Sequence, residues 1–385
     1  MKQSDSLLES NADRRSFLKK GALVGGAAAI GAGLMGGSTF AFGDNDGERL
    51  TPGDAAILRF ALAAELIEAD LWTQYAELGG LTPGQLPLEV LQTPPLNSYQ
   101  AAFLNLDGDG PQYISSNTLD EVSHAAFLDA YLKSKGAESV DFDEFRTLQG
   151  SQATGAQNIG RLTNLMHLNV DTSWYIRYRS ATNPDFGATF PQAITITDRT
   201  AIPVTDADFN DPNHIQVIAN IAAFHFGYIE QGGSSLYPAL GRKASSLEVL
   251  KITQGIGGDE IAHFLEWVDF AGNGVQAPVA PVTDPQTGFT FPNFFQILNP
   301  NAPPSATNSN NPLIQPSLIF PVPCEFINAK LPHVSIIRPL DDKFGGAVAT
   351  IESFTADGLF VGQSKEFFRV VNQLAEEADE AKREF

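Results

Sequence analysis

The sequence predicts a mainly α protein, a four-helix bundle with a long crossover between its second and third helices and an irregular, partly β C-terminal extension. Three observations lead there. Helix-like stretches with apolar periodicity recur at about residues 52–78, 116–135, 214–240 and 245–271. The pattern Glu-x-x-His occurs twice in a chain with six histidines, at Glu121–His124 and Glu260–His263, each time directly after an aspartate, Asp120 and Asp259. Residues 136–212 separate the second and third stretches, the long crossover that a bundle with those two helices parallel needs.

The first helix opens with Thr51 as N-cap and Pro52 at the first helical position. Wound at 100° per residue, Arg59, Asp70 and Gln74 fall on one side. Leu58, Ala61, Leu62, Glu65, Ala69 and Trp72 fall on the other. A carboxylate in an apolar stripe is costly without a cation or several donors. Glu68 also points partly inward, and winding alone does not choose between it and Glu65. The loop that follows is broken by Pro83, Pro87, Pro94 and Pro95. Within it, Asn105, Asp107, Asp109 and Gly110 copy part of a calcium loop, but Ser116 at the last ligand position and Pro111 spoil it, leaving a turn.

The second helix, from about Ser116 to Lys135, carries Glu121 and His124 above Ala125, Phe127, Leu128 and Leu132. Thr118 with Glu121 also spells a capping box, in which Glu121 would turn back on the chain; a start at Ser115 or Ser116 frees it to face the core. The third helix, His214 to Leu240, is apolar almost all round and therefore central. Its acid is Glu230, followed by Gly232 and Gly233, which suggest close approach. Pro238 predicts a kink or an end near Tyr237, and His225 reads as a core histidine. The fourth helix runs from Ser245 or Ser246 to Ala271, ends at Gly272 and Gly274, and carries Glu260 and His263.

In order, four successive helices offer Glu65, Glu121 with His124, Glu230, and Glu260 with His263. At i, i+3 an acid and an imidazole share a helix face, so two such pairs facing each other can hold two metal ions. An aromatic follows each lone acid by seven residues, Trp72 after Glu65 and Tyr237 after Glu230; both are read first as core filling and second as redox-active. Four carboxylates balance two divalent ions, and a mixed oxygen and nitrogen set suits iron or manganese, with zinc as a redox-inert substitute. Glu121 and Glu260 would bridge, Glu65 and Glu230 would be terminal, and Asp120 and Asp259 would orient the histidines across the bundle.

This arrangement resembles the ferritin-like superfamily of di-metal carboxylate proteins. Ala61 to Trp72 is similar to the first helix of the branch that holds plant desiccation-related proteins, fungal stress-response proteins and exported bacterial relatives. Asp120 to His124, Phe224 to Tyr237 and Asp259 to His263 resemble its second, third and fourth helices. The resemblance covers about residues 52–272 and implies Glu65, Glu121, His124, Glu230, Glu260 and His263 as ligands, choosing Glu65 over Glu68. It departs at Trp72, where tyrosine is commoner, and in the glycine-rich third helix.

The rest bounds the reading. With 385 residues the chain can bury one large core or two ordinary ones, and 43% hydrophobic content is that of a globular protein. A net charge of −21 argues against nucleic acid or an anionic membrane as partner. Cys324, alone, makes no internal disulfide and reads as structural. Asp13 to Lys20, with Arg14, Arg15, Phe17 and Leu18, resembles a twin-arginine export signal; Gly21 to Gly37 is its weakly hydrophobic run, and Thr39 to Ala41 a cleavage site. Residues 1–41 are thus expected to be a signal peptide, and the protein periplasmic or extracellular, with no stable membrane insertion afterwards.

Within the crossover, Asn158 to Arg179 reads as a further helix with a solvated or capping His167, and residues 180–212 as loop with a short hairpin. Residues 273–385 form the extension. It is low-complexity from Asn299 to Pro316, has a short strand after His333, and ends in an amphipathic helix capped by Ser364. It is expected to pack on the bundle or to join subunits of a homo-oligomer. The function expected is an exported protein with two iron or manganese ions that acts on dioxygen or peroxide or handles metal under stress. The alternative is a non-catalytic metal-binding or structural stress-protection protein.

Overall fold

Helix α1, Pro52–Gly79, starts where its cap predicts: Thr51 Oγ1 accepts from Asp54 N at 3.1 Å. The computed structural model describes residues 49–79, 95–106, 108, 110–183, 189–273, 282–294, 316–317, 319–324, 327–336 and 345–384. The export signal, Asp107, Asp109 and nearly all of the low-complexity stretch lie outside them. Residues 48–385 form one unit, mainly helical, and among the described residues no helix is long and apolar enough to cross a membrane.

Four long helices dominate. Helix α2, Gly110–Ser134, packs along α1. It starts six residues before the expected Ser116, which removes the capping-box rival. Thr118 is inside the helix, and its hydroxyl donates back to Ile114 O at 2.7 Å and across to Trp72 O at 3.1 Å. After the crossover, α4, Pro212–Gly241, is capped by Asp211, which accepts from Asn213 N at 2.8 Å. It continues through Pro238, so the early end that was one of the two expectations near Tyr237 does not occur. Helix α5, Leu247–Asn273, packs along α4 after a five-residue connection, 242–246. Asp54 of α1 receives Ser245 N at 2.8 Å and Ser246 N at 3.0 Å, so the first helix seats the start of the fourth.

The crossover departs from its expected helix. In place of a helix over 158–179, Gly160–Arg161 (β2) pairs antiparallel with Leu148–Gln149 (β1), and only Ser173–Arg177 (α3) is helical. The backbone between finds partners elsewhere. Leu162 N and Thr163 N donate to Asp70 at 3.1 and 3.0 Å, Asn164 N to Leu359 O at 2.8 Å, and Asn169 N to Asp357 O at 2.7 Å. Long-range acceptors have replaced the helical ladder. Asp70 and Gln74, on the polar side of α1, are accordingly buried beneath the crossover. Where a hairpin was expected in 180–212, the pairing among described residues is a bridge from Leu168 to Arg199.

Among its described residues the extension adds a small hairpin, Val282–Thr283 (β3) with Thr290–Phe291 (β4), a bridge between Val322 and Val334, and two helices. Helix α6, Ala347–Asp357, was not expected: Val348, Thr350, Ile351 and Thr355 are poor helix formers. Asp379 holds its start, accepting from Ala347 N at 2.9 Å and Val348 N at 3.0 Å, and Gly358, at φ 95°, ends it. Helix α7, Lys365–Glu380, is capped by Ser364 as predicted, and packs Phe367, Val371 and Leu374 into the core beside α1. The Cys324 thiol is buried and donates to Pro332 O at 3.0 Å.

Candidate metal centre

Each long helix contributes one fully buried glutamate to a single cluster: Glu65, Glu121, Glu230 and Glu260 are all 0% exposed. Helices α2 and α5 add His124 and His263 from the same faces. Among the described residues the ligand-type atoms form three groups, in each of which all lie within 4.8 Å of one another. The outermost is Asp120, Asp259 and His263, its two aspartates half-buried; the remaining two consist of buried residues throughout. One is Glu65, Glu121, His124 and Glu260; the other is Glu121, Glu230, Glu260 and His263. Glu121 and Glu260 belong to both, so the groups share two carboxylates. Glu65 supplies an atom and Glu68, one turn on, does not.

The spacings are those of a coordination sphere. His124 Nδ1 lies 3.3 Å from Glu65 Oε2 and 3.6 Å from Glu121 Oε2 and Glu260 Oε1. His263 Nδ1 lies 3.2 Å from Glu121 Oε1 and 3.4 Å from Glu230 Oε2. Bonds of about 2.1 Å to one ion set neighbouring ligand atoms about 3 to 3.4 Å apart. Glu65 Oε2, Glu121 Oε2, Glu230 Oε2, both oxygens of Glu260 and His124 Nδ1 are buried without a hydrogen bond. So many inward atoms without a hydrogen bond fit a cation.

The surroundings hold these side chains in place. Asn117, one turn before Glu121, donates through Nδ2 to Glu121 Oε1 at 2.8 Å and Glu230 Oε1 at 3.0 Å. Its Oδ1 accepts from Trp267 Nε1 at 2.7 Å. Tyr237 donates its hydroxyl to Glu65 Oε1, leaving Oε2 to face the cluster. Asp120 and Asp259 cross between helices: His263 Nε2 is 3.2 Å from Asp120 Oδ2, and His124 Nε2 is 3.3 Å from Asp259 Oδ2. With Nε2–H committed to a carboxylate, Nδ1 of each ring would offer its lone pair to a bound ion, in place of the proton it carries without one. Gly233 lets the Glu260 carboxylate pass against α4, since a Cβ there would collide with Glu260 Oε2.

Protonation follows from burial. Burial pushes Glu121 up to about 8, with Glu65 and Glu230 adding to it, and drives Glu68 and Glu260 well above the carboxylate range. Burial works against a charged His124, but Asp259, Glu121 and Glu65 outweigh it and push it up to about 12; His263 also rises, chiefly through Glu230 and Asp120. Without a cation, protons neutralise the cluster; a metal would replace them.

The other histidines have other partners. His225 is buried between Tyr75 and Asp357, His214 between Asp284 and Asp208, and His167 is exposed beside Asp198. A depression of about 530 Å³, walled by Phe127, Ile252 and Ile256 with Lys251 on its lining, reaches His124 and Asp259. Asn117 belongs to this neighbourhood and was missed as a member, the i, i+4 spacing of Asn117 and Glu121 being the available signal; the buried Glu68, weighed as the alternative to Glu65, lies beside the cluster. No family model matches the chain, and no curated protein or solved structure matches it significantly.

Proposed function

We propose that the chain is an exported di-metal carboxylate protein of ferritin-like four-helix architecture, which holds two iron or manganese ions and acts on dioxygen or peroxide under stress. The observation that carries this reading is the convergence of six buried ligand-type side chains from four helices, with inward atoms that no donor satisfies. A scaffold with no metal would gain by replacing them with apolar residues, because each buried charge costs several kcal/mol to desolvate.

Glu65, Glu121, His124 and Glu260 would hold one ion, and Glu121, Glu230, Glu260 and His263 the other. When bound, two such ions would supply electrons in pairs, as the reduction of peroxide requires. The chain's own part is to keep the centre dry and its ligands aimed. Tyr237 fixes one oxygen of Glu65, Asn117 fixes one each of Glu121 and Glu230, and Asp120 and Asp259 set the two imidazoles. The depression at His124 gives small molecules a way toward the centre. Export rests on Arg14, Arg15 and the run to Gly37; the twin-arginine route carries folded proteins, which suits a metal loaded before export.

Metal analysis of the folded protein is expected to give two ions per chain, with Glu121→Ala and Glu260→Ala each losing or weakening both. Normal metal content in those variants would sink the assignment. Peroxide and dioxygen consumption by the loaded protein then separates a redox enzyme from a protein that binds metal without turnover.

A further inference from the structure

A file of buried aromatic side chains leads from the carboxylate cluster to the seam between α4 and α6. It begins at Asn117, which joins Glu121 and Glu230 to Trp267 Nε1. Trp267 stacks on Trp72 with centroids 5.5 Å apart and planes 19° from parallel. Trp72 meets Tyr75 edge-on at 5.7 Å, and Phe226 walls all three rings. The Tyr75 hydroxyl lies 2.5 Å from His225 Nδ1, and His225 Nε2 lies 2.9 Å from Asp357 Oδ2 on α6. The His225 ring stacks on Tyr228 at 6.1 Å, and the Tyr228 hydroxyl meets Ser353 in a pocket of about 90 Å³. Trp267, Trp72, Tyr75 and His225 are 0% exposed, and Tyr228 is 9% exposed.

Core filling does not ask for this set. A buried Tyr–His–Asp chain carries a desolvation cost that leucine and phenylalanine would avoid, and Trp72 Nε1 has no acceptor among the described residues. What the set supplies is rings in contact, across which an electron passes readily, and a base at the phenol. Burial holds the Tyr75 proton far beyond the usual phenol range, with Asp357 adding to the effect, so this phenol gives up an electron only if its proton leaves too. His225, with Nε2–H turned to Asp357, presents its Nδ1 lone pair to take it.

We propose that Trp267, Trp72, Tyr75 and Tyr228 form a one-electron conduit between the carboxylate centre and the α4–α6 seam, with His225 and Asp357 as its proton station. It rests on the redox reading of the centre, where peroxide would be the oxidant and would take its electrons one at a time. Trp267 gives one electron to that oxidant, Trp72 refills Trp267, and Tyr75 refills Trp72. As Tyr75 is oxidised its O–H bond breaks and an N–H bond forms at His225 Nδ1; Asp357 holds the resulting imidazolium, and Tyr75 is left as a neutral phenoxyl radical. A phenol-class one-electron donor at the seam returns the electron through Tyr228 and releases its own hydroxyl proton to solvent, while the proton held on His225 goes back to the Tyr75 oxygen. Over the cycle the donor is oxidised, the oxidant is reduced, and every bond in the chain is restored.

The test uses metal-free protein, so it is independent of the centre. In a Trp174→Phe background, Trp72 and Trp267 are the remaining tryptophans. Laser photoionisation followed by transient absorption is expected to show a tryptophanyl radical decaying into a tyrosyl radical, more slowly in heavy water and in Asp357→Asn. Tyr75→Phe is expected to lose the tyrosyl signal. Should Trp174→Phe not fold, Tyr75→Phe is compared with the unsubstituted chain, in which Trp174 contributes equally to both. A tyrosyl signal that persists unchanged in Tyr75→Phe overturns the conduit. In iron-loaded protein treated with peroxide, a paramagnetic tyrosyl signal that disappears in Tyr75→Phe at unchanged iron content supports it. Transfer in metal-free protein that binds no metal would support the wiring while sinking the proposed centre.

Discussion

Gly232 and Gly233 are neighbours in α4, yet a methyl group has opposite consequences at the two. Around Gly232 nothing lies within 4 Å of an added Cβ, whereas at Gly233 it would strike the Glu260 carboxylate. Gly232→Ala is expected to raise stability by about 1 kcal/mol through helix propensity and to leave metal content unchanged. Gly233→Ala is expected to keep the helix and lose metal; thermal melts with metal analysis check both. Protonation gives a second expectation at this scale. Glu121 rises on folding from its ordinary 4.5 to about 8, so between those values the folded chain binds the extra proton. The metal-free protein therefore has its full contribution from this group below 4.5, and loses it as pH rises through about 8. His124, raised from 6.5 to about 12, acts in the same direction above 6.5. Since metal takes the place of these protons, melting temperature should fall with rising pH in metal-free protein more than in loaded protein. Metal uptake should also release protons to a pH-indicator dye. Uptake near neutral pH without proton release would contradict this.

At the scale of elements, what could be read from the sequence is what local chemistry decides. Thr51 with Pro52, Ser364, and the apolar periods of α1, α4 and α5 each announce themselves within a few residues. So do the two acid–histidine pairs, because three residues on a helix fix a shared face. The segment 158–179 shows the limit. Ile159, Leu162, Leu165 and Met166 have helical spacing, but Asp70, some ninety residues earlier in the chain, competes for Leu162 N and Thr163 N and wins. Helix α6 fails in the opposite sense: its own residues are indifferent to helix, and Asp379 supplies the cap from another element. Asn117 was only partly legible: its spacing to Glu121 is local, but its partners Glu230 and Trp267 lie far along the chain. Asp54 makes the dependence measurable. Removing it in Asp54→Ala leaves Ser245 N and Ser246 N without their acceptor, and is expected to cost about 1–3 kcal/mol in denaturant unfolding.

For the molecule as a whole, the extension belongs to the core and is no mere appendage. Asp357 reaches His225, Asp379 caps α6 and pairs with Lys243, and Phe367 packs beside Phe142 and Phe145 of the crossover. Chelation should therefore loosen one side of the protein only. Hydrogen exchange is expected to quicken around Glu121, Glu230 and Glu260 when metal is removed, and to stay unchanged over 148–165 and in α7. Uniform quickening would mean that metal holds the entire fold.

That asymmetry goes back to α1, which buries acids in two directions. Asp70 is saturated: Leu162 N, Thr163 N, the Thr163 hydroxyl and Gln74 all donate to it, and Arg146 sits 2.8 Å away. Glu65 has one hydroxyl on one oxygen and no donor on the other. One rod thus works as a sorting device, with guanidinium on its outer flank and room for a bare ion on its inner one. What tells the two flanks apart is the number of protons pointed at each carboxylate, a tally that burial and charge alone would not reveal.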